Sequence, residues 1–566
     1  MLPSIGIVFL AIGYAVCEDS SEAGPRIQTN YGPIEGLTET LNDGTTKINV
    51  FLGIPFAEPP IGKLRFEKPR TPKKWTTTLE TKTVPASCPP TQRKYIHVLG
   101  DKIDEDCLYL NIVAPSEPST EEGGYPVLVW IHGGAFALGS TAQYGYKALA
   151  EHFVSRGIIV VAIQYRVGPL GFAAWGDDNF PGNYGLWDQR QALRFVWNNI
   201  VHFSGNQKRV TIWGESAGAA SVSALSLSTQ TNHLFANAIQ NSASAYAEWA
   251  TSNRVIAATE EYADHFKCEI KDAKKMKACF QKLTLDELYD AGDKFSPMVK
   301  LSDRLFTPRL DADFFTDDFN GLLAKAKPKP TMIGIASEEY LILALIDGSI
   351  AELPDFSREK FIKKVEEFAG EELFKEKASE VQRKIVDFYL NPKNAPTKKD
   401  NVYYFKKFVQ LFSDVYINVP VLNEIRSKTQ AKWPVYSYLT TYANKGLIPE
   451  QVPINKPTHG YEIPYIFNKT QPGFIRNEDD FEFTRILVET MAAFVKTGDP
   501  SVPGIKWPAA TAVDFLTYLE LKPFAPEVKK PLMMDRYQFW TLLTKHYEFD
   551  LIKGLHKETL RSRDEL

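Results

Sequence analysis

Val210-Thr211-Ile212-Trp213-Gly214-Glu215-Ser216-Ala217-Gly218-Ala219-Ala220 decides how the rest of this 566-residue chain is read. Val210 to Trp213 are β-branched or aromatic and read as a buried strand. After Gly218 the sequence turns small and helix-tolerant, through Ala219, Ala220, Ala224 and Leu225. Between the two lies Gly214-x-Ser216-x-Gly218, the pattern of a nucleophile elbow. Its logic is steric: the serine sits on a sharp, strained turn, and the residues two before and two after it crowd neighbouring backbone, so they carry no Cβ. Ser216 then stands proud of the sheet at the start of a helix. The Ala217 N–H points at the oxygen of whatever Ser216 attacks. A glycine-rich turn with a capping serine is the bland alternative, so the reading depends on partners elsewhere.

Outward from the elbow, strands alternate with helices. Pro126 to Ile131 and Gly157 to Tyr165 read as strands, the second with the unbroken apolar run of a parallel strand covered on both faces. Asn183 to Phe203 reads as a helix, with Leu186, Leu193, Val196, Trp197 and Ile200 on one face. Ala236 to Gln240, Thr331 to Ala336 and Trp433 to Leu439 are further strands. The alternation predicts an α/β fold with a large, mostly parallel central sheet, helices on both faces and long inserted loops. Near the start, Gly32 to Glu35 and Phe51 to Pro55 read as an edge hairpin, because the prolines that follow forbid a central strand. Arg65 stands in an apolar context and needs a buried partner, for which Glu105 is the candidate. Phe356 to Phe388 is charge-rich, with Phe361, Val365, Phe368, Val381, Ile385 and Phe388 spaced as amphipathic helices under a solvated face.

A nucleophilic serine needs a base, and the base needs an acid to orient it. In elbow architectures the chain order is serine, acid, histidine. His459, His546 and His556 follow the elbow far enough. His459 has the better setting, in the turn Thr458-His459-Gly460-Tyr461-Glu462 beside apolar sequence. For the acid, Glu338 and Glu339 both follow the strand that ends at Ala336. His132-Gly133-Gly134-Ala135 ends the first central strand. It resembles the glycine loop of esterases and lipases, whose N–H groups complete an oxyanion hole.

Composition bounds the alternatives. Apolar residues make up 44% and charged residues 24% of the chain, enough for a large core. A net charge of −4 suggests neither nucleic-acid nor membrane attraction. No P-loop, H-E-x-x-H or paired C-x-x-C motif supports nucleotide or zinc chemistry, so no cofactor and no metal are expected. Ile5 to Val16 followed by Cys17 reads as a signal peptide over residues 1–17, although no Lys or Arg precedes the run. No other stretch is long and apolar enough for a membrane helix. Cys88, Cys107, Cys268 and Cys279 then remain, an even number that allows three pairings. Sequential pairing closes two short loops and is preferred; the first closure contributes about 3 kcal/mol on the chain-entropy account. Arg563-Asp564-Glu565-Leu566 differs from the K-D-E-L retention signal only in Arg for Lys, which predicts receptor-read retention in the endoplasmic reticulum lumen. Residues 18–562 are left as a single domain. Asn468-Lys469-Thr470 is an N-glycosylation acceptor.

Taken together, Phe203-x-Gly205 with Gly214-Glu215-Ser216-Ala217-Gly218, Glu105-Asp106-Cys107-Leu108-Tyr109-Leu110-Asn111 and the His459 segment resemble the type-B carboxylesterases, from about residue 26 to 550. That family includes cholinesterases and bile-salt-activated lipase, and the lumenal tail also looks like that of nematode gut esterases. The resemblance implies the α/β-hydrolase fold and a small-molecule carboxylic ester as substrate. It implies Glu339 as the acid, because the family's acid is the second of an acidic pair; Tyr340 departs from the glycine that usually follows. It implies oxyanion donors at Gly134, Ala135 and Ala217, with Ala135 in place of a third glycine. Ion pairs Arg65–Glu105 and Arg166–Asp188 and the two sequential disulfides follow as well. Ser204 replaces a glycine of the first signature. Between Cys88 and Cys107 no tryptophan occurs, and His97 falls near where cholinesterases hold choline, so capture of a quaternary ammonium is unsupported. Competing readings are a non-catalytic adhesion or receptor relative, a lipase on long-chain esters, and a hormone- or pheromone-specific esterase.

Overall fold

The computed structural model describes residues 24–100, 102–295, 306–391, 399–448, 450, 452–470 and 474–556. The segments read as a signal peptide and as a retention signal, residues 1–17 and 563–566, lie outside the described residues. Eleven strands build one sheet: β1 Leu37–Thr40, β2 Lys47–Pro55, β3 Tyr109–Pro115, β4 Tyr125–Ile131, β5 Ile159–Ile163, β6 Gly205–Glu215, β7 Asn237–Asn241, β8 Thr331–Ala336, β9 Val435–Thr440, β10 Tyr518–Leu521 and β11 Glu527–Lys529. Their order across the sheet is β11-β10-β9-β8-β7-β6-β4-β5-β3-β2-β1. From β5 through β10 the neighbours run parallel; β1, β2, β3 and β11 complete the sheet antiparallel. The α/β-hydrolase expectation holds, with antiparallel strands at both margins.

Both faces are covered, and the strands read as period-two alternations between two cores. On β4, Val127, Val129 and Ile131 enter one core while Leu128 and Trp130 enter the other. On β6, Ile212 and Trp213 divide in the same way. Against the first face pack α1 Tyr184–Asn199 and α2 Ala217–Leu227, the helix after the elbow. The same core takes residues of α3 Tyr340–Ile346, α4 Arg358–Phe368, α5 Ala378–Leu390, α6 Asn401–Ser413 and α7 Val419–Gln430. Helix α8 Glu478–Thr497 closes the second face, and α9 Met534–His546 packs in the first core near the chain's end. Helices α4 and α5 bury Phe361, Val365, Val381 and Ile385, as the charge-rich segment predicted. Among the described residues, no helix is long and apolar enough to cross a membrane.

One pairing differs from expectation. Pro33–Glu35 and Phe51–Pro55 do not form a hairpin. Pro33–Glu35 joins Arg26–Gln28 and Leu79–Glu80 in a separate three-stranded sheet, while residues 51–55 belong to β2, whose hairpin partner is β1. Alternation identifies extended segments but carries no information on which segments pair.

The disulfides are sequential, Cys88–Cys107 and Cys268–Cys279. Arg65 donates through Nε to Glu105 at 2.7 Å and through Nη2 to the same carboxylate. Arg166 meets Asp188 through its backbone N–H, Nε and Nη2 at 2.7–3.0 Å, and both side chains are buried. Asp188→Ala leaves the guanidinium buried without its counter-charge and is expected to lower unfolding free energy by about 3–5 kcal/mol. Urea melts read this, and an unchanged midpoint would refute it.

Candidate active site

Strand β6 ends at Glu215 and α2 begins at Ala217, so the whole turn is Ser216, at φ 56° and ψ −127°. Two glycines make it possible. A Cβ on Gly214 would collide with the backbone of Gly218, and one on Gly218 would collide with the carbonyl oxygen of Ile131 at the end of β4. The first glycine lets the turn fold back on itself; the second lets it press against the neighbouring strand. The Ser216 N–H donates to the Asn241 carbonyl at 2.9 Å, which ties the elbow to β7.

Although β5 intervenes in sequence, β4 pairs directly with β6. The loop after β4 therefore lies against the elbow: a Cβ on Gly133 would sit 3.0 Å from the Ser216 Cβ and 2.7 Å from the Glu215 carbonyl oxygen. Gly134 has φ 111° and Ala135 φ 54°, so the loop turns through left-handed backbone even where alanine stands in it. Among the described residues, the N–H groups of Gly134 and Ala135 have no acceptor. Ala217 is the first residue of α2, where an N–H has no partner within its helix.

His459 lies on the loop between β9 and α8. Its Nδ1 is 2.7 Å from Oε2 of the fully buried Glu339, and its N–H donates to the Glu339 carbonyl at 3.3 Å. Facing a carboxylate, Nδ1 holds a proton, which leaves Nε2 as the basic nitrogen once the ring is neutral. The other ring edge is turned to Glu215, with Nε2 3.4 Å from Oε1 of the residue that precedes Ser216. Glu339 also accepts the Ala336 N–H through Oε1 at 2.6 Å, which fixes the carboxylate at both oxygens. Of the acidic pair, Glu339 is the one at the imidazole. Glu338 stands instead in the field of Arg536 and Asp414, and burial pushes its carboxyl up to about 7. His546 caps the last turn of α9 through the Leu542 carbonyl, and both it and His556 are exposed. Asn468 is exposed as well.

Two carboxyls at the site were not singled out as functional in the sequence. Burial pushes Glu215 and Glu462 each up to about 7. Glu215 occupies the variable position of the elbow motif, and Glu462 comes three residues after His459 and accepts from the Thr440 hydroxyl. A charged residue in each apolar stretch was the available signal. Burial alone depresses the His459 imidazole. The hydrogen bond to Glu339 and the charges of Glu215, Glu339 and Glu462 outweigh it and raise the imidazole to about 9. Among the described residues, no group of three or more His, Cys, Asp or Glu side chains is arranged to hold a metal ion.

A base must be neutral to take a proton, so activity is expected to rise with pH as His459 deprotonates. Glu215→Gln removes one negative charge beside Nε2, which lowers the imidazole pKa. The acid limb of kcat/KM is therefore expected to move to lower pH, by about one pH unit. A limb that stays in place or moves to higher pH would contradict this electrostatic reading.

A model of the carboxylesterase family matches residues 23–540. Gut esterase 1 of Caenorhabditis briggsae is 35% identical over 563 residues, covering 96% of this chain and 97% of the relative. Gut esterase 1 of Caenorhabditis elegans is 34% identical over 548 residues, covering 94% and 95%. Cocaine esterase of Homo sapiens is 29% identical over 538 residues, covering 92% of each chain.

Proposed function

Since this chain belongs to the carboxylesterase family and is a carboxylic ester hydrolase, we propose that it works through an acyl-enzyme formed on Ser216. The serine oxygen attacks the carbonyl carbon while His459 Nε2 takes the hydroxyl proton. The carbonyl π electrons move onto oxygen, and the N–H groups of Gly134, Ala135 and Ala217 donate to the oxyanion, each contributing about 3 kcal/mol. Collapse of the tetrahedral adduct expels the alkoxide, which His459 protonates to the alcohol. Water then attacks the acyl carbon with the same imidazole as base, releasing the carboxylic acid and restoring Ser216. Glu339 holds Nδ1–H throughout and stabilises the imidazolium. This route uses no cofactor.

The observation that best supports the reading is the two-sided setting of one imidazole. One edge is locked on the buried Glu339 at 2.7 Å, and the other faces the residue next to the elbow serine. The paired cysteines support an oxidising compartment, and Arg563-Asp564-Glu565-Leu566 supports receptor-read retention in the endoplasmic reticulum lumen. A panel of short aryl esters run beside emulsified triglyceride tests the function. Hydrolysis of the soluble esters is expected. Release of acid from the emulsion alone would assign a lipase, and no hydrolysis of either would assign a non-catalytic relative.

A further inference from the structure

Helix α3 begins immediately after Glu339, which occupies its N-cap position. An N-cap side chain ordinarily accepts the N–H of the second or third helical residue. Glu339 makes no such bond: its own backbone is already helical, at φ −51° and ψ −45°, and its carboxylate is engaged with His459 Nδ1 and the Ala336 N–H. The orphaned N–H groups find hydroxyls from distant segments. Tyr340 N–H donates to Ser413 Oγ at 2.9 Å, on the last turn of α6. Ile342 N–H, the third in the helix and the one an N-cap would take, donates to Thr458 Oγ1 at 2.7 Å. Thr458 is the residue before His459.

We propose that Thr458 is a positioning residue for the ester hydrolysis: its hydroxyl caps α3 in trans and so holds the turn that carries Glu339 against the segment that carries the imidazole. The inference rests on the assignment of Glu339 and His459 made above. The cap also joins acid and base segments directly. Beside the bond to Ile342, the Thr458 hydroxyl points at the Glu339 carbonyl at 3.4 Å, His459 N–H donates to that carbonyl at 3.3 Å, and Glu338 N–H donates to the Pro457 carbonyl at 3.1 Å. Three consecutive residues, 457 to 459, are thereby laced to the pair that carries the acid. On the opposite side the Tyr340 ring packs against Phe408, Phe412 and Tyr416 at 5.3–5.7 Å, so the start of α3 is held from both sides. Tyr340 is the residue that replaces the family's glycine. With the hydroxyl gone, the Ile342 N–H is left without its acceptor, and the direct tie between the start of α3 and the residue before His459 is lost.

Thr458→Val removes the hydroxyl at nearly constant volume. Turnover per active site, counted by organophosphate titration, is expected to fall roughly 10- to 100-fold at unchanged KM, the loss expected when a catalytic group shifts by about an ångström. The acid limb of the pH profile moves to lower pH, because the imidazole faces Glu339, Glu215 and Glu462 and loses the first of them. Thr458→Ser restores both. Thr458→Ala reads the same two quantities if valine disturbs the loop. Wild-type turnover and an unmoved limb in Thr458→Val or Thr458→Ala, or a lowered melting temperature with kcat intact, would overturn the proposal. Glu339→Gln run alongside separates the two levels. If that variant is inactive while both Thr458 variants behave as wild type, the positioning role alone fails; if it is fully active, the acid assignment fails.

Discussion

Ser216→Ala is expected to reduce turnover by about a millionfold, with the fold intact. The oxygen is the only atom removed. The Cβ and the backbone bonds that hold the elbow, from Ser216 N–H to Asn241 and from Ala220 N–H to Ser216, stay in place. Residual hydrolysis should come from oxyanion stabilisation and binding alone, because no covalent intermediate can form. Steady-state assays on a short aryl ester, with melting curves confirming a folded variant, make the comparison. Ester cleavage within tenfold of wild type would remove Ser216 from the chemistry.

Glu339→Gln should be the next most damaging change, lowering kcat by about ten thousandfold. A glutamine amide is nearly the same shape, so the loop should survive. It brings no charge to stabilise the imidazolium, and its NH2 end can favour the wrong tautomer at Nδ1. Glu338→Gln should change kcat by no more than a few-fold, since that side chain lies in the field of Arg536 and Asp414. The pair of variants discriminates between adjacent carboxylates. Equal losses in both, or a larger loss at 338, would contradict the assignment.

The elbow was legible because its constraint is local. Gly214 and Gly218 are glycines for a clash within five residues of each other and with one adjacent strand, and the sequence records that directly. Strands β4, β5 and β8 were legible for a similar reason, since burial on both faces leaves a largely apolar run. The mispaired hairpin shows where this stops. Pro33–Glu35 and Phe51–Pro55 are both extended, but their partners are fixed by contacts that alternation does not encode. The same holds at the site. The order serine, acid, histidine narrowed the choice to named residues, yet Glu215 and Glu462 became visible only when burial and convergence on His459 were in view. Thr458 was the least legible. A threonine before a histidine has no distinguishing mark until the helix it caps, 116 residues earlier, is seen to lack a cap of its own.

Residue-level labelling tests the central claim, an acyl transfer through one hydroxyl, most directly. The protein is titrated with an organophosphate until ester hydrolysis stops, digested, and mapped by mass spectrometry. One adduct per chain on the peptide bearing Ser216 is expected, rising in step with the loss of activity. An adduct on a different residue, or hydrolysis that persists when Ser216 is fully modified, would contradict the mechanism.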